Sequence, residues 1–459
     1  MAFCRGKQIG LPSTIWQKIA KIMTAEIAIL NQIGVALAAD SAVTISGPGN
    51  QKIYNSANKI FTLSKYQPVG IMIYGGADFM SIPWETLIKI YREELGTTGF
   101  NTLREYCDDF LKCLSKSDYF LSENMKNDYV QSVAFGYFSV ILDEIIQRIE
   151  EEIDLMATDE EEYTITLISE VIGKHFDEIE NHNLLPMFSD DFLGEFIACY
   201  KEDLNRVARQ VFDQLPIDNE LDKLTQIIAG LMTRDIFPEN KSGIVIAGFG
   251  KREIYPSLYS YQIDCVVQDK LKYKEDRTVE IGNQLTASIV PFAQSEMVDM
   301  FMCGIAPELN TFYLERLEEI FNEYQENIAK EIYPDRSKQR DEIKDKLASI
   351  TQQAIEKYHK IVHEQQNNDY IDPILETLQH LPKDELAVVA ENLVSLTSFK
   401  RKVTMTPETV GGPIDVAIIS KGDGFIWIKR KHYFNPELNM HFTANYFRGD
   451  SNGKTNEKQ

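Results

Sequence analysis

Paired cysteines are missing from this chain. Its six cysteines (Cys4, Cys107, Cys113, Cys199, Cys265 and Cys303) are scattered, with no Cys-x-x-Cys and no paired spacing. That pattern favours reduced, buried thiols in a cytoplasmic protein over a disulfide framework or a zinc site. Positive charge is also scarce, with 47 Lys and Arg against 70 Asp and Glu and a net charge of −23. A nucleic-acid surface needs a basic footprint, so no nucleic-acid partner is expected. No apolar run approaches the roughly 20 residues that span a bilayer, so no membrane partner is expected either. Residues 1–22 carry Arg5, Lys7, Lys18 and Lys21 with no acid. They lack the continuous apolar core and small-residue cleavage site of a signal peptide. Repeats and low-complexity tracts are absent too.

What remains is an ordinary globular composition, 44% hydrophobic and 25% charged over 459 residues. That length supports a large core and about two or three domains. The patterning predicts strands at 25–30 and 35–40 joined by a tight turn containing Gly34, then a turn-rich excursion over Ser46–Gln51. Strands at 59–63 and 69–74 lead through Gly75-Gly76-Ala77-Asp78 to a helix with Ser81 as N-cap and Pro83 in its first turn. Residues 101–238 read as helical, then strands return at 243–250 and 259–267. Helices resume over 308–400, with breaks at Pro334 and Glu364–Asp369 and with Asp384 as a helix N-cap. A hairpin at 414–419 and 424–428 closes the fold, and the last dozen residues read as a polar, disordered tail. Strands alternating with helical blocks predict a layered α+β protein, helices outside and sheets inside.

The chemistry centres on Met23-Thr24, at the head of the first strand. If Met23 is the working start and is clipped, Thr24 becomes the first residue and carries a free α-amine beside its hydroxyl. A threonine hydroxyl is a weak nucleophile, and that amine, with a pKa of about 8, can serve as its base. A nearby lysine ammonium would depress the amine's pKa, a carboxylate would hold the lysine, and a glycine N–H would receive the oxyanion. The chain offers Asp40 at the end of the second strand, Lys59 opening the third and Gly75 at the strand-to-helix turn.

With these residues the chain resembles the proteasome β-subunit family, including its bacterial two-ring relatives. The resemblance rests on Thr24 and Asp40 within Gly34–Ser41, on Asn58-Lys59-Ile60, on Gly75-Gly76-Ala77-Asp78 and on Ile246-Ala247-Gly248. It ends at Val410-Gly411-Gly412-Pro413-Ile414-Asp415-Val416. It covers roughly 24–117, 242–305 and 384–430. It implies a four-layer αββα sandwich of the N-terminal-nucleophile hydrolase class, here with large helical insertions. Thr24 would be the nucleophile, Asp40 and Lys59 its activators, the Gly75 N–H the oxyanion donor, and Thr44 and Gly76 the substrate contacts. The implied partners are polypeptide substrates and other copies in a ring. No cofactor or metal is required, and without an ATP-binding motif here any unfolding ATPase would be a separate protein.

Several positions depart from the family pattern. Ala42 stands where an arginine is common, and Ser295, in Pro291–Ser295, is the substitute for a supporting serine. Pro407 and Val410 replace an acid and a serine, leaving Glu408 as the nearby carboxylate, and Met23 replaces the glycine of self-cleaving members. The expected divisions are a leader (1–23), core segments (24–117, 241–305 and 384–446), helical insertions (118–240 and 306–383) and a tail (447–459). Two other functions stay open: a non-catalytic shell subunit, and an amidase using the same threonine on a small amide. His359 and His363 lie an i, i+4 step apart, but without a metalloprotease glutamate they read as a solvated face.

Overall fold

The computed structural model describes residues 24–47, 50–116, 121–152, 160–238, 241–334, 338–404, 410–441 and 444. The leader 1–23, the tail 447–459, Pro407 and Glu408 lie outside the described residues. Eight strands come first: β1 (Ala25–Asn31), β2 (Gly34–Ala39), β3 (Val43–Gly47), β4 (Asn50–Tyr54), β5 (Ile60–Thr62), β6 (Val69–Gly75), β7 (Asp78–Phe79) and β8 (Ile82–Pro83). Helices α1 (Trp84–Leu95), α2 (Leu103–Ser115), α3 (Glu123–Glu152), α4 (Glu160–Glu180), α5 (Asp190–Phe212) and α6 (Leu221–Thr233) follow. Strands β9 (Ser242–Gly248), β10 (Ser257–Val267), β11 (Lys270–Glu280) and β12 (Ala287–Ala293) come next. Then come α7 (Glu296–Cys303), α8 (Pro307–Ile332), α9 (Lys338–Gln366), α10 (Asp372–Leu378) and α11 (Lys383–Val403), before β13 (Asp415–Ser420) and β14 (Gly424–Lys429).

The strands build two five-stranded antiparallel sheets, ordered β12-β1-β2-β13-β14 and β11-β10-β9-β6-β5. Side chains alternate across a strand, and β1 shows the consequence. Ala25, Ile27 and Ile29 face an apolar cluster with Val298 and Met302 of α7, Leu378 of α10, and Leu386 and Ala390 of α11. Ala28 and Leu30 face the other way, onto Met72, Val245, Ala247 and Leu258 of the second sheet. The far side of that sheet, with Ile71, Ile73, Ile244 and Ile246, joins residues of α1 to α6 in a third cluster. A strand covered on both faces reads as a near-continuous apolar run, interrupted in 25–30 by Glu26 alone, which is why 25–30 and 35–39 were legible from sequence. Their turn is locked by Asn31. Its side-chain nitrogen donates to the Leu378 and Leu381 carbonyls, both at 3.0 Å, and its oxygen accepts from the Ile33 N–H.

Several sequence expectations are corrected. Ser46, Gly47, Asn50 and Gln51, read from sequence as part of an irregular excursion, are strand residues, with β3 paired against β4; Pro48 and Gly49 lie outside the described residues. Ser81 does not cap α1: it sits with Met80 at positive φ in the tight β7–β8 turn, and Pro83 is the N-cap. Asp384 lies in the first turn of α11, whose N-cap is Pro382. The break at Glu364–Asp369 is instead a π-helical turn, Asn367–Ile371, running directly into α10. Strands β11 and β12 escaped detection. β11 is largely charged and exposed, and β12 contains Pro291, which the missing ladder donor restricts to an edge strand such as this one. By length and composition α3 could cross a membrane, with a window of mean hydropathy 1.2, a third of it buried. Its Val130, Ala134, Tyr137, Phe138, Ile141 and Ile145 pack into the helical cluster.

Candidate active site

β1 and β2 pair so that the start of one meets the end of the other. Asp40 N–H donates to the Ala25 carbonyl at 3.1 Å, and Ala25 N–H returns a bond to Asp40 Oδ1 at 3.2 Å. The second Asp40 oxygen accepts from the Ala42 N–H at 3.2 Å and the Gly411 N–H at 2.9 Å. Three backbone donors therefore hold this carboxylate, and Lys59 Nζ adds a charge-assisted bond to it. The Gly411-Gly412 segment, legible as a motif, thus has a physical role, closing over Asp40 just ahead of β13.

Lys59 immediately precedes β5, and its carbonyl is pinned by the Ile73 N–H at 2.8 Å. Its side chain crosses from the second sheet to the first, where its ammonium also lies 3.0 Å from Glu26 Oε1. Burial opposes a charged lysine, but Glu26 and Asp40 together outweigh it and raise the Lys59 pKa, so it remains an ammonium. Glu26 is the residue that sequence reasoning missed. It shares one face of β1 with Thr24, and the Thr24 hydroxyl donates to Glu26 Oε2 at 2.9 Å. Thr24, Glu26, Asp40 and Lys59 are all buried, Glu26 completely. The available signal was a lone acid in the otherwise apolar run Ala25–Leu30, a costly position that calls for a partner.

The two carboxylates differ in support. Asp40 has three amide donors, whereas Glu26 has the threonine hydroxyl on Oε2 and, on Oε1, a share of one ammonium. Burial raises the Glu26 pKa; Lys59 lowers it and Asp40 raises it again, leaving it at about 7. Near neutrality this carboxyl can therefore take up or release a proton. Tyr74 of β6 stacks against Phe292 at 5.3 Å, and its hydroxyl is held neutral by burial. Lys431 pairs with Asp415 beyond Lys59 and Asp40, and burial lowers its pKa.

The other expected residues are placed less directly. Gly75 ends β6 at a φ of 77°. Ile73 N–H bonds toward β5, whereas Gly76 N–H bonds to the Lys241 carbonyl on the opposite side at 3.2 Å. Strand alternation therefore turns the Gly75 N–H toward the Lys59 side. Gly76, expected as a substrate contact, has its N–H engaged with the Lys241 carbonyl. Thr44 pairs with Ile53 in the β3–β4 hairpin, and its side chain lies outside the described residues. Ser295 is the N-cap of α7, and its carbonyl accepts from the Asp299 N–H at 2.8 Å. No hydrogen bond joins Ser295 to Thr24 or Lys59 among the described residues; its neighbour Gln294 donates its N–H to the Thr24 carbonyl at 3.1 Å. His359 and His363 are exposed on α9, and no metal-binding group of His, Cys, Asp and Glu occurs among the described residues.

No model of a protein family matches this chain, and no curated protein matches it.

Proposed function

We propose that this protein is a proteasome-like threonine peptidase of the N-terminal-nucleophile class, working in the cytoplasm on polypeptides as a self-associated assembly. The observation that carries this reading is the buried series Thr24 hydroxyl, Glu26, Lys59 and Asp40, where the ends of β1 and β2 meet the start of β5. A nucleophile, a fixed ammonium and a carboxylate anchor converge there, and the Gly75 N–H is turned to the same side. Two sheets packed face to face, with helical clusters on both outer faces, support the four-layer αββα architecture.

The reaction requires Thr24 as first residue. Its Oγ adds to the scissile carbonyl, the carbonyl electron pair moves to oxygen, and the Gly75 N–H stabilises that oxyanion. The positive charge of Lys59 lowers the pKa of the α-amine and keeps it unprotonated, while the hydroxyl proton passes to a base of the site and on to the leaving amine. Collapse expels the leaving amine and leaves an ester on Thr24, which water then hydrolyses.

N-terminal sequencing of the native protein, followed by labelling with an epoxyketone, tests this reading. Wild type is expected to begin at Thr24 and to gain one equivalent of label, while Thr24→Ala loses both label and peptide turnover. A native N-terminus at Met1 or Ala2, or full turnover in Thr24→Ala, overturns it.

A further inference from the structure

We infer that Glu26 is a catalytic residue of this site, the carboxylate that takes the proton from the Thr24 hydroxyl when the nucleophile attacks. The inference deepens the peptidase reading and rests on Thr24 being the nucleophile. Its basis is geometric. Among the described residues the one hydrogen bond found for the Thr24 hydroxyl goes to Glu26 Oε2, at 2.9 Å. Lys59 reaches Glu26 Oε1 at 3.0 Å and bonds Asp40, so the lysine stands behind the carboxylates rather than against the threonine. Backbone donors also single out Glu26. Asp40 is saturated by three amides and serves as an anchor, while Glu26 keeps an oxygen aimed at the reacting atom.

As the Thr24 Oγ–carbon bond forms, the hydroxyl proton passes to Glu26 Oε2 and the carbonyl electron pair moves to oxygen. The carbonyl re-forms as the carbon–nitrogen bond breaks, and the same proton is delivered to the departing amine. In the second half Glu26 accepts a proton from the attacking water and returns it to Thr24 Oγ as the ester carbon–oxygen bond breaks. No co-reactant is needed. The buried carboxyl has a pKa of about 7, which suits both steps near neutral pH. The groups facing it are the Thr24 hydroxyl on its own strand, Asp40 after β2, Lys59 before β5 and Tyr74 on β6. Lys431 with Asp415 lies behind Lys59 and Asp40. Its ladder neighbours are Ala39 and Phe292, which do not ionise.

The test is the rate of Thr24 acylation by a β-lactone, followed by intact mass from pH 5 to 9 on the purified full assembly. Wild type is expected to follow one ionisation near pH 7. Glu26→Gln keeps the shape and an acceptor for the hydroxyl but cannot take the proton. It is expected to slow acylation by about 100-fold or more and to lose that ionisation. A wild-type rate in Glu26→Gln, or a slowed rate with an unchanged pH profile, overturns the inference. If Thr24→Ala is acylated as fast as wild type, the peptidase reading itself fails. Should Glu26→Gln not fold, the carbon-13 shift of the Glu26 carboxyl in wild type decides. Titration in step with the acylation rate supports the role; a carboxyl ionised throughout overturns it.

Discussion

Glu26 sets the behaviour of this site at the level of single residues. Its carboxyl is raised from an ordinary value of 4.5 to about 7 in the fold, first by burial. For a group whose folded pKa is raised, the stabilising contribution is complete below the unfolded pKa and is lost as pH rises through the folded one. Glu26 therefore destabilises the native state progressively between about pH 4.5 and 7, by at most roughly 3 kcal/mol. Thermal unfolding of wild type and Glu26→Gln at pH 5 and pH 8 checks this. The variant is expected to gain stability relative to wild type at the higher pH, and a pH-independent difference would contradict the assignment. That Glu26 belongs to the site was written in sequence as an acid inside an apolar strand. Its partners Lys59 and Thr24 were each identified, yet nothing local says that a lysine 33 residues on in sequence reaches the same carboxyl.

Among the elements, β6 ends in a demanding junction. Gly75 has a φ of 77°, and a Cβ there would lie 2.3 Å from the Lys241 carbonyl oxygen, a backbone atom that cannot swing aside. Gly75→Ala is expected to destabilise the protein by more than about 1 kcal/mol in urea unfolding and to reduce Thr24 acylation. Gly282→Ala is the control: a Cβ there meets nothing within 4 Å, so a midpoint near wild type is expected. Equal effects of the two substitutions would contradict a special role for the β6 junction. The same junction explains why one sequence expectation failed. Gly75-Gly76 was expected to lead straight to a helix, but the short β7–β8 hairpin intervenes, with two non-glycine residues at positive φ, Met80 and Ser81. Turn chemistry of that kind carries little signal when glycine is absent from it.

For the whole molecule, the placement of the helices is the distinguishing feature. Helices α1 to α6 share one apolar cluster against the second sheet. In the resembled family the layer begun by the first two helices mediates contact between rings. On the proposed reading, helices α3 to α6, packed in one cluster with α1 and α2, are expected to alter such an assembly. Native mass spectrometry of the purified protein is expected to show a particle other than the family's standard two-ring form; that standard form would contradict the expectation.

From sequence alone came the apolar strands β1, β2, β6 and β9, the helical blocks, and Thr24, Asp40, Lys59 and Gly75 as a set worth joining. Those features are local, expressed in hydrophobic period, in glycine at a turn and in charge at a strand end. Tertiary structure alone decided that β11 and β12 pair at the outer edges of the two sheets, where charge and Pro291 hide them. It also decided which carboxylate touches the threonine. The register of β1 against β2 and β12 brings Thr24 beside the Asp40 turn and keeps Glu26 dry, and the packing of the two sheets delivers Lys59. A side chain's partner across two sheets follows from register and packing over the whole core, which no stretch of the chain contains by itself.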